Sequence, residues 1–205
     1  MKIAIFGATG RVGQRVMDYA LENQFEVRAL VRSHHHMKET PNVEWIYGDA
    51  KNAEDVNTTI EGCDLVFSGL STDKSDTLSQ SIPNIIDAMV SEDIQRIVTI
   101  GTAGILNSRG EPNKFRFQTS ESKKKLTFAA EEHAKVYQAL SASHLEWTIV
   151  CPTYLPDGDI EGSIRCEKNF LPEDGKKITV GDTAKFAYQE LFDKNYVGSR
   201  VGVCY

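Results

Sequence analysis

Residues 3–14, IAIFGATGRVGQ, decide the fold. A short apolar run, typical of a buried strand, leads directly into three glycines spaced three apart: Gly7, Gly10 and Gly13. Residues 11–23 then place apolar or small side chains at helical spacing. Between a strand and a helix, the first glycine permits a tight turn, the second lets backbone approach a pyrophosphate, and the third lets helix pack on strand. The stretch therefore predicts a loop that binds a dinucleotide.

The rest of the chain alternates β-branched apolar runs with helical patterns. We predict strands at 2–6, 25–31, 43–47, 64–68, 95–100, 146–150 and 200–204. We predict helices at 11–23, 53–60, 76–91, 123–142 and 182–192. Asp182 is the predicted N-cap of the last helix, and Pro83 predicts a late start or a kink in the third. This alternation is typical of an α/β chain with a Rossmann-like, doubly wound parallel sheet, here as one domain over residues 1–205 with small substrate-side loops in its C-terminal part.

Composition limits the partners. The net charge of −6 argues against nucleic acid and anionic membrane surfaces, and we interpret Lys123–Lys125 as a solvated helix end. No apolar run approaches the roughly 18 residues of a membrane span. The four cysteines are scattered, which favours reduced thiols. We therefore expect a cytoplasmic protein, a monomer or homodimer, whose partner is a small molecule.

The end of the second predicted strand indicates the type of dinucleotide. NAD-preferring sites place an acid there, whereas this chain has none between Val27 and Met37 and carries Arg32 followed by Ser33. A guanidinium suits a ribose 2′-phosphate, so we predict NADP(H) rather than NAD(H). The run His34–His36 lacks acidic or thiol partners at helical spacing, and we interpret it as a surface loop with no metal.

Taken together, these segments resemble the atypical short-chain dehydrogenase/reductases of the NAD(P)-binding, NmrA-like group, which includes the biliverdin and flavin reductases. The segments that carry the resemblance are KIAIFGATGRVG at 2–13, ALVR at 29–32, GDA at 48–50, FSGL at 67–70, IVTIGTAG at 97–104, EEHAKVYQAL at 131–140 and WTIVCPTYL at 147–155. The resemblance extends over nearly the whole chain.

The resemblance also implies positions for the cofactor and the substrate. The expected cofactor-binding residues are Gly7, Thr9, Gly10, Arg11, Val12, Gly13, Arg32, Ser33, Asp49, Ala50, Gly69, Leu70, Thr102, Pro152 and Thr153. Thr102, His133 and Tyr154 are the candidate catalytic residues, although Thr102 and His133 could equally be structural. Phe115, Phe117 and Tyr154 either line an aromatic acceptor site or pack within loops.

The chain departs from the family at the acid–base pair. Ordinary short-chain dehydrogenases use Tyr-x-x-x-Lys, and the one match here, Tyr47 with Lys51, lies too early in the chain for that role. Tyr137 is followed four residues later by Ser141. The chain therefore either reduces a substrate that needs no strong acid, uses another proton donor, or does not catalyse.

Three functions remain open from the sequence. The first is an NADPH-dependent oxidoreductase that transfers hydride to a planar conjugated acceptor of the flavin, quinone or tetrapyrrole type, which delocalises the incoming charge. The second is a non-catalytic NADP(H) sensor, as the NmrA-like resemblance allows. Sugar-nucleotide epimerisation is the third, and it normally needs the missing tyrosine and a larger substrate domain.

Overall fold

A single twisted sheet organises the fold. The computed structural model describes residues 1–36, 39–122 and 126–205. Within these ranges the strands are β1 (Lys2–Phe6), β2 (Glu26–Val31), β3 (Val43–Tyr47), β4 (Leu65–Ser68), β5 (Arg96–Ile100), β6 (Glu146–Pro152), β7 (Arg165–Lys168) and β8 (Ser199–Cys204). The helices are α1 (Arg11–Glu22), α2 (Ala53–Ile60), α3 (Thr77–Ser91), α4 (Phe128–Ala142) and α5 (Val180–Asp193).

The strands follow the order β3-β2-β1-β4-β5-β6-β8-β7. Every neighbouring pair is parallel except β7 with β8. The chain moves outward from β1 to β3 and then returns to the other side of β1 with β4. The predicted doubly wound, Rossmann-like sheet is therefore confirmed, and its topological switch point lies between β1 and β4, where open α/β sheets bind ligands.

Alternate side chains of the strands fill two apolar cores, one on each face of the sheet. Ala4 and Phe6 of β1 belong to the core beneath α2, α3 and α4, whereas Ile3 and Ile5 belong to the core beneath α1 and α5. All four are fully buried. Because the central strands are covered on both faces, they read in the sequence as continuous apolar runs.

Four details differ from the sequence-based predictions. The edge strand β7 was not predicted, because its residues RCEK carry no apolar alternation. Helix α4 begins at Phe128 rather than 123, and Lys123–Lys125 lie outside the described residues. Helix α3 begins at Thr77, six residues before Pro83, so the prediction of a late start is wrong. Thr179, not Asp182, caps α5 by accepting a hydrogen bond from the backbone N–H of Asp182.

No helix in the described part of the chain is long and apolar enough to cross a membrane.

Candidate functional site

The glycine loop closes tightly between β1 and α1. Gly7 adopts a φ of +80°, a region that side chains disfavour, and a Cβ there would lie 2.7 Å from the carbonyl carbon of Gly69. A Cβ on Gly13 would lie 2.1 Å from the carbonyl oxygen of Gly7. These contacts require glycine for steric reasons alone, and they bring the start of α1 against the ends of β1 and β4.

The first turn of α1 presents backbone donors. Gly10 is the N-cap residue and supplies no side-chain cap, so its helix leaves the usual first-turn N–H groups without an intrahelical acceptor. The helix dipole adds partial positive charge at this end, and no acidic side chain occupies the first turn. Such a helix start suits a phosphate group.

A cleft of about 530 Å³ opens above this loop, and we refer to it as the glycine-loop cleft. Ten of the predicted cofactor-binding residues line it: Gly7, Thr9, Gly10, Arg11, Val12, Arg32, Asp49, Ala50, Gly69 and Leu70. His133 of α4 also lines the cleft and is half-buried. The cleft further contains residues that the sequence analysis missed, among them Phe6, Leu30, Ser71, Thr72, Asp73, Thr77, Ala129 and Leu155.

Two predicted cofactor residues have other local roles. Gly13 is buried against the backbone of Gly7 and allows α1 to approach the loop closely. The Ser33 hydroxyl accepts a hydrogen bond from the backbone N–H of His35.

His34 stacks on Tyr47, with 3.9 Å between ring centroids, and Lys51 donates to Asp76 at 2.6 Å. The sole Tyr-x-x-x-Lys match is thus engaged with neighbours at the β3 side of the sheet.

Arg32 is an exposed cation beside the glycine-loop cleft. Its Nη2 lies 2.6 Å from Oδ2 of Asp73, which belongs to the loop between β4 and α3. The Ser71 hydroxyl donates to the other oxygen of Asp73 at 2.9 Å. The arginine is therefore directed toward the loop that follows β4, which also lines the cleft.

The segment after β6 lines the cleft through Leu155 and is tied to α1. Arg11 donates to the carbonyl oxygen of Leu155 at 3.0 Å and to the Asp157 carboxylate at 2.9 Å. Buried Asp182 holds the next residues by accepting hydrogen bonds from the backbone N–H groups of Glu161 and Gly162. Burial raises the pKa of Asp182, but hydrogen bonds from Tyr205, Glu161, Gly162 and Thr179 outweigh it, so the pKa is lowered.

A second cavity of about 310 Å³, which we call the aromatic pocket, adjoins the first. It is lined by Thr102, Ala103, Gly104, Arg116, Phe117, Glu121, Ser122, Leu126, Thr127, Ala129, Ala130, Pro152, Thr153 and Tyr154. Four predicted site residues, Thr102, Pro152, Thr153 and Tyr154, are thus brought together here. Ala129 lines both cavities, so the two are contiguous.

The aromatic residues predicted for an acceptor site divide into two groups. Phe117 and Tyr154 line the aromatic pocket, and Tyr154 is 69% exposed. Phe115 does not line this pocket; it packs against the core, as Phe117 also does, and meets Tyr137 edge-on. The Thr102 hydroxyl accepts a hydrogen bond from the backbone N–H of Gly104 at 3.4 Å, which fixes it at the rim of the pocket.

Glu121 organises the loop that carries Phe117. Its carboxylate accepts hydrogen bonds from the Ser108 hydroxyl, from the backbone N–H groups of Arg109 and Gly110, and from Arg116. Burial raises the pKa of Glu121, yet these hydrogen bonds dominate and lower it from 4.5 to about 2. No local sequence pattern marks this arrangement, because the donors are 5 to 13 residues away in the chain.

This pKa leads to a prediction about acid stability. A lowered pKa in the folded state contributes stability that is complete above the ordinary value of 4.5 and is lost as the pH falls toward about 2. We expect hydrogen-exchange protection of the Arg109 and Gly110 amides to fall in this window. Glu121→Gln should lose that pH dependence and cost about 1–2 kcal/mol at neutral pH.

Glu111→Gln is the matched control, since Glu111 lies in the same loop and pairs with exposed Lys114. Identical acid profiles in wild type and Glu121→Gln would contradict the assignment.

Residues 7–194 match the family model for NAD(P)H-binding proteins. The chain belongs to this family. Its fold is similar to that of a candidate exported protein of Burkholderia pseudomallei, with 24% sequence identity, a TM-score of 0.85 and 100% of both chains covered. It is also similar to a candidate NADH-flavin reductase of Streptococcus pneumoniae TIGR4, with 21% identity, a TM-score of 0.84 and coverage of 100% of this chain and 99% of that chain. The anaerobilin reductase ChuY of Escherichia coli O157:H7 has 20% identity, a TM-score of 0.82 and coverage of 100% of this chain and 97% of that chain.

The glycine-loop cleft fits the cofactor of this NAD(P)H-binding family. Gly7 and Gly10 line the cleft beside the uncapped start of α1, which provides a place for a pyrophosphate. Arg32 supplies a cation near the end of β2, where the adenosine ribose of a dinucleotide lies in Rossmann folds. Asp49 and Ala50 follow β3 at the same edge of the cleft.

Proposed function

We propose that the protein is an NADPH-dependent oxidoreductase that transfers hydride to a planar, conjugated acceptor in the aromatic pocket. The observation that carries the proposal is the continuity of the two cavities. They share Ala129, and the consecutive residues Gly101 and Thr102 after β5 line one cavity each. A cofactor in the first cavity and a substrate in the second could therefore meet at this boundary.

The chemistry of the aromatic pocket supports the class of acceptor. Phe117, Leu126, Pro152 and the alanines of α4 form the apolar part of its walls. The polar part comes from hydroxyl groups, among them those of Tyr154 and Thr102, and from the ion pair of Arg116 with Glu121. Apolar walls combined with placed polar groups are typical of sites for organic ligands. Two structural neighbours are named for the reduction of a flavin and of anaerobilin, which agrees with a flavin, quinone or tetrapyrrole acceptor.

NADPH, when bound, supplies the hydride. Within this scheme the protein binds and orients its two ligands. Thr102 offers a hydroxyl at the boundary between the cavities, and His133 lies on the cofactor side while Tyr154 lies on the acceptor side. A conjugated acceptor spreads the charge it receives, and Tyr154 is exposed enough for water to reach the pocket and deliver the proton. In this scheme positioning takes the place of a strong acid.

The test measures NADPH oxidation in the presence of free flavins, quinones and linear tetrapyrroles, and the loss of NADPH absorbance is the readout. We expect turnover with at least one class. Phe117→Ala should raise the KM of that acceptor about tenfold, since an aromatic contact contributes about 1–1.5 kcal/mol, and should leave the NADPH Kd unchanged. Phe128→Ala is the control, because Phe128 is exposed at the start of α4 and is absent from the pocket lining.

Turnover, or its absence, decides between the reductase and the non-catalytic sensor. Tight NADPH binding without turnover across the whole panel would contradict the reductase proposal and favour the non-catalytic NADP(H) sensor.

Arg32→Asp should raise the NADPH Kd far more than the NADH Kd, and equal effects on both would contradict the choice of NADP(H).

A further inference from the structure

Asp73 contacts Arg32, the cation proposed to bind the ribose 2′-phosphate. It lies in the loop after β4, outside every motif singled out from the sequence, and its carboxylate is paired with Arg32 at 2.6 Å. We propose that Asp73 sets the selectivity between NADPH and NADH by competing with the ribose 2′-phosphate for Arg32. The inference rests on the proposed binding of NADP(H) in the glycine-loop cleft.

The structure holds the Asp73 carboxylate in place from both sides. Arg32 contacts Oδ2, and the Ser71 hydroxyl donates to Oδ1 at 2.9 Å. The loop backbone is itself constrained, because Asp73 and Lys74 adopt successive left-handed φ values of +48° and +59°. A hydrogen bond of 2.7 Å from Ser75 N–H to the Thr72 carbonyl closes the turn around them. The carboxylate is thus positioned by the fold rather than freely mobile.

Both members of the pair line the glycine-loop cleft. Ser71 and Thr72, the two residues before Asp73, line it as well. Arg32 keeps 64% of its side chain exposed, so the ion pair leaves guanidinium surface open for a ligand. A phosphate that binds Arg32 from the cleft therefore approaches the Asp73 carboxylate as well.

The charges of the two cofactors differ at this point. A 2′-phosphate carries between one and two negative charges near neutral pH, so it gains from Arg32 but is repelled by Asp73. A 2′-hydroxyl is neutral and can donate a hydrogen bond to the same carboxylate. Asp73 therefore disfavours NADPH and either favours NADH or leaves it unchanged. Arg32 and Asp73 act in opposite directions on one selectivity ratio.

The test measures the Kd of NADPH and of NADH for wild type and Asp73→Asn by fluorescence titration. The asparagine keeps the size of the side chain and an oxygen for Ser71, and it removes the charge. We expect NADPH to bind about tenfold more tightly and NADH equally or up to about threefold more weakly, an effect of charge that raised salt diminishes. A merely structural role for Asp73 would change both constants together.

Asp76→Asn is the matched control. Asp76 lies three residues later, pairs with Lys51, and is absent from the lining of the cleft. An unchanged NADPH/NADH ratio in Asp73→Asn, or the same shift in Asp76→Asn, would overturn the inference while leaving the proposed function intact. A wild-type protein that binds neither nucleotide would overturn the proposed function and this inference with it.

Discussion

Gly13→Ala is expected to weaken NADPH binding by more than 100-fold. The new Cβ would lie 2.1 Å from the carbonyl oxygen of Gly7 and 2.8 Å from its carbonyl carbon. Both atoms are backbone, so no side chain can rotate away, and either the loop or the start of α1 must shift by about 1 Å to restore van der Waals contact. Such a shift moves the first-turn N–H groups away from the position that a pyrophosphate requires.

A graded series of alanines separates this effect from general damage. Gly10→Ala would create a milder contact of 3.2 Å with the same Gly7 oxygen, and we expect an intermediate loss of affinity. Gly110→Ala is the control, since its Cβ would meet Glu121 Oε1 at an ordinary 3.7 Å. NADPH titrations and thermal melts of all three variants provide the measurement. A folded Gly13→Ala that binds NADPH within about threefold of wild type would contradict the steric argument.

The sequence predicted the sheet and the glycine-loop cleft because both depend on short local patterns. Apolar runs mark strands that are buried on both faces, and the spacing of Gly7, Gly10 and Gly13 reflects contacts within one turn. The resemblance to a family then added Asp49 and Gly69, which follow β3 and β4 at the same edge of the sheet. Residues at the carboxyl ends of parallel strands converge in space, so their place in the fold follows from chain order.

The aromatic pocket was less accessible to sequence reasoning because its walls come from loops. Phe115 and Phe117 look alike in the sequence and both pack against the core, yet of the two only Phe117 lines the pocket. Their difference depends on a turn organised by Glu121, whose donors are distant in the chain. Asp73 was missed for a similar reason. Its contact with Arg32 spans two separate loops, and no periodic pattern marks such a pair.

Glu190→Ala is expected to destabilise the protein by about 3–5 kcal/mol, because it leaves the buried Arg96 cation unpaired. Arg96 is 2% exposed, and its guanidinium lies 3.1 Å from the Glu190 carboxylate. It also donates to the carbonyl oxygen of Glu146 and to the Thr148 hydroxyl. Burial lowers the pKa of Arg96, and the Glu190 charge is the main influence that opposes this shift.

Urea unfolding of a matched pair checks this prediction. Glu146→Ala removes a carboxylate from the start of β6, opposite Arg96 in the sheet. That carboxylate pairs with Lys194 at the surface, so its loss should lower the free energy of unfolding by at most about 1 kcal/mol. Equal losses in the two variants would contradict the role assigned to burial. Replacing both partners, as Arg96→Met with Glu190→Leu, should recover part of the loss because no charge is then left buried.

The position of this ion pair also predicts that its loss leaves the affinity for NADPH unchanged. Arg96 begins β5 and Glu146 begins β6, whereas Gly101, Thr102 and Pro152 follow or end the same strands at the opposite edge of the sheet. The ion pair therefore lies at the edge of the sheet away from the proposed ligand sites. In buffer without denaturant, folded Glu190→Ala should retain the wild-type NADPH Kd despite its lower unfolding free energy. Gly10→Ala should show the reverse, with weaker binding and a stability close to that of wild type, because its single close contact lies within the loop itself.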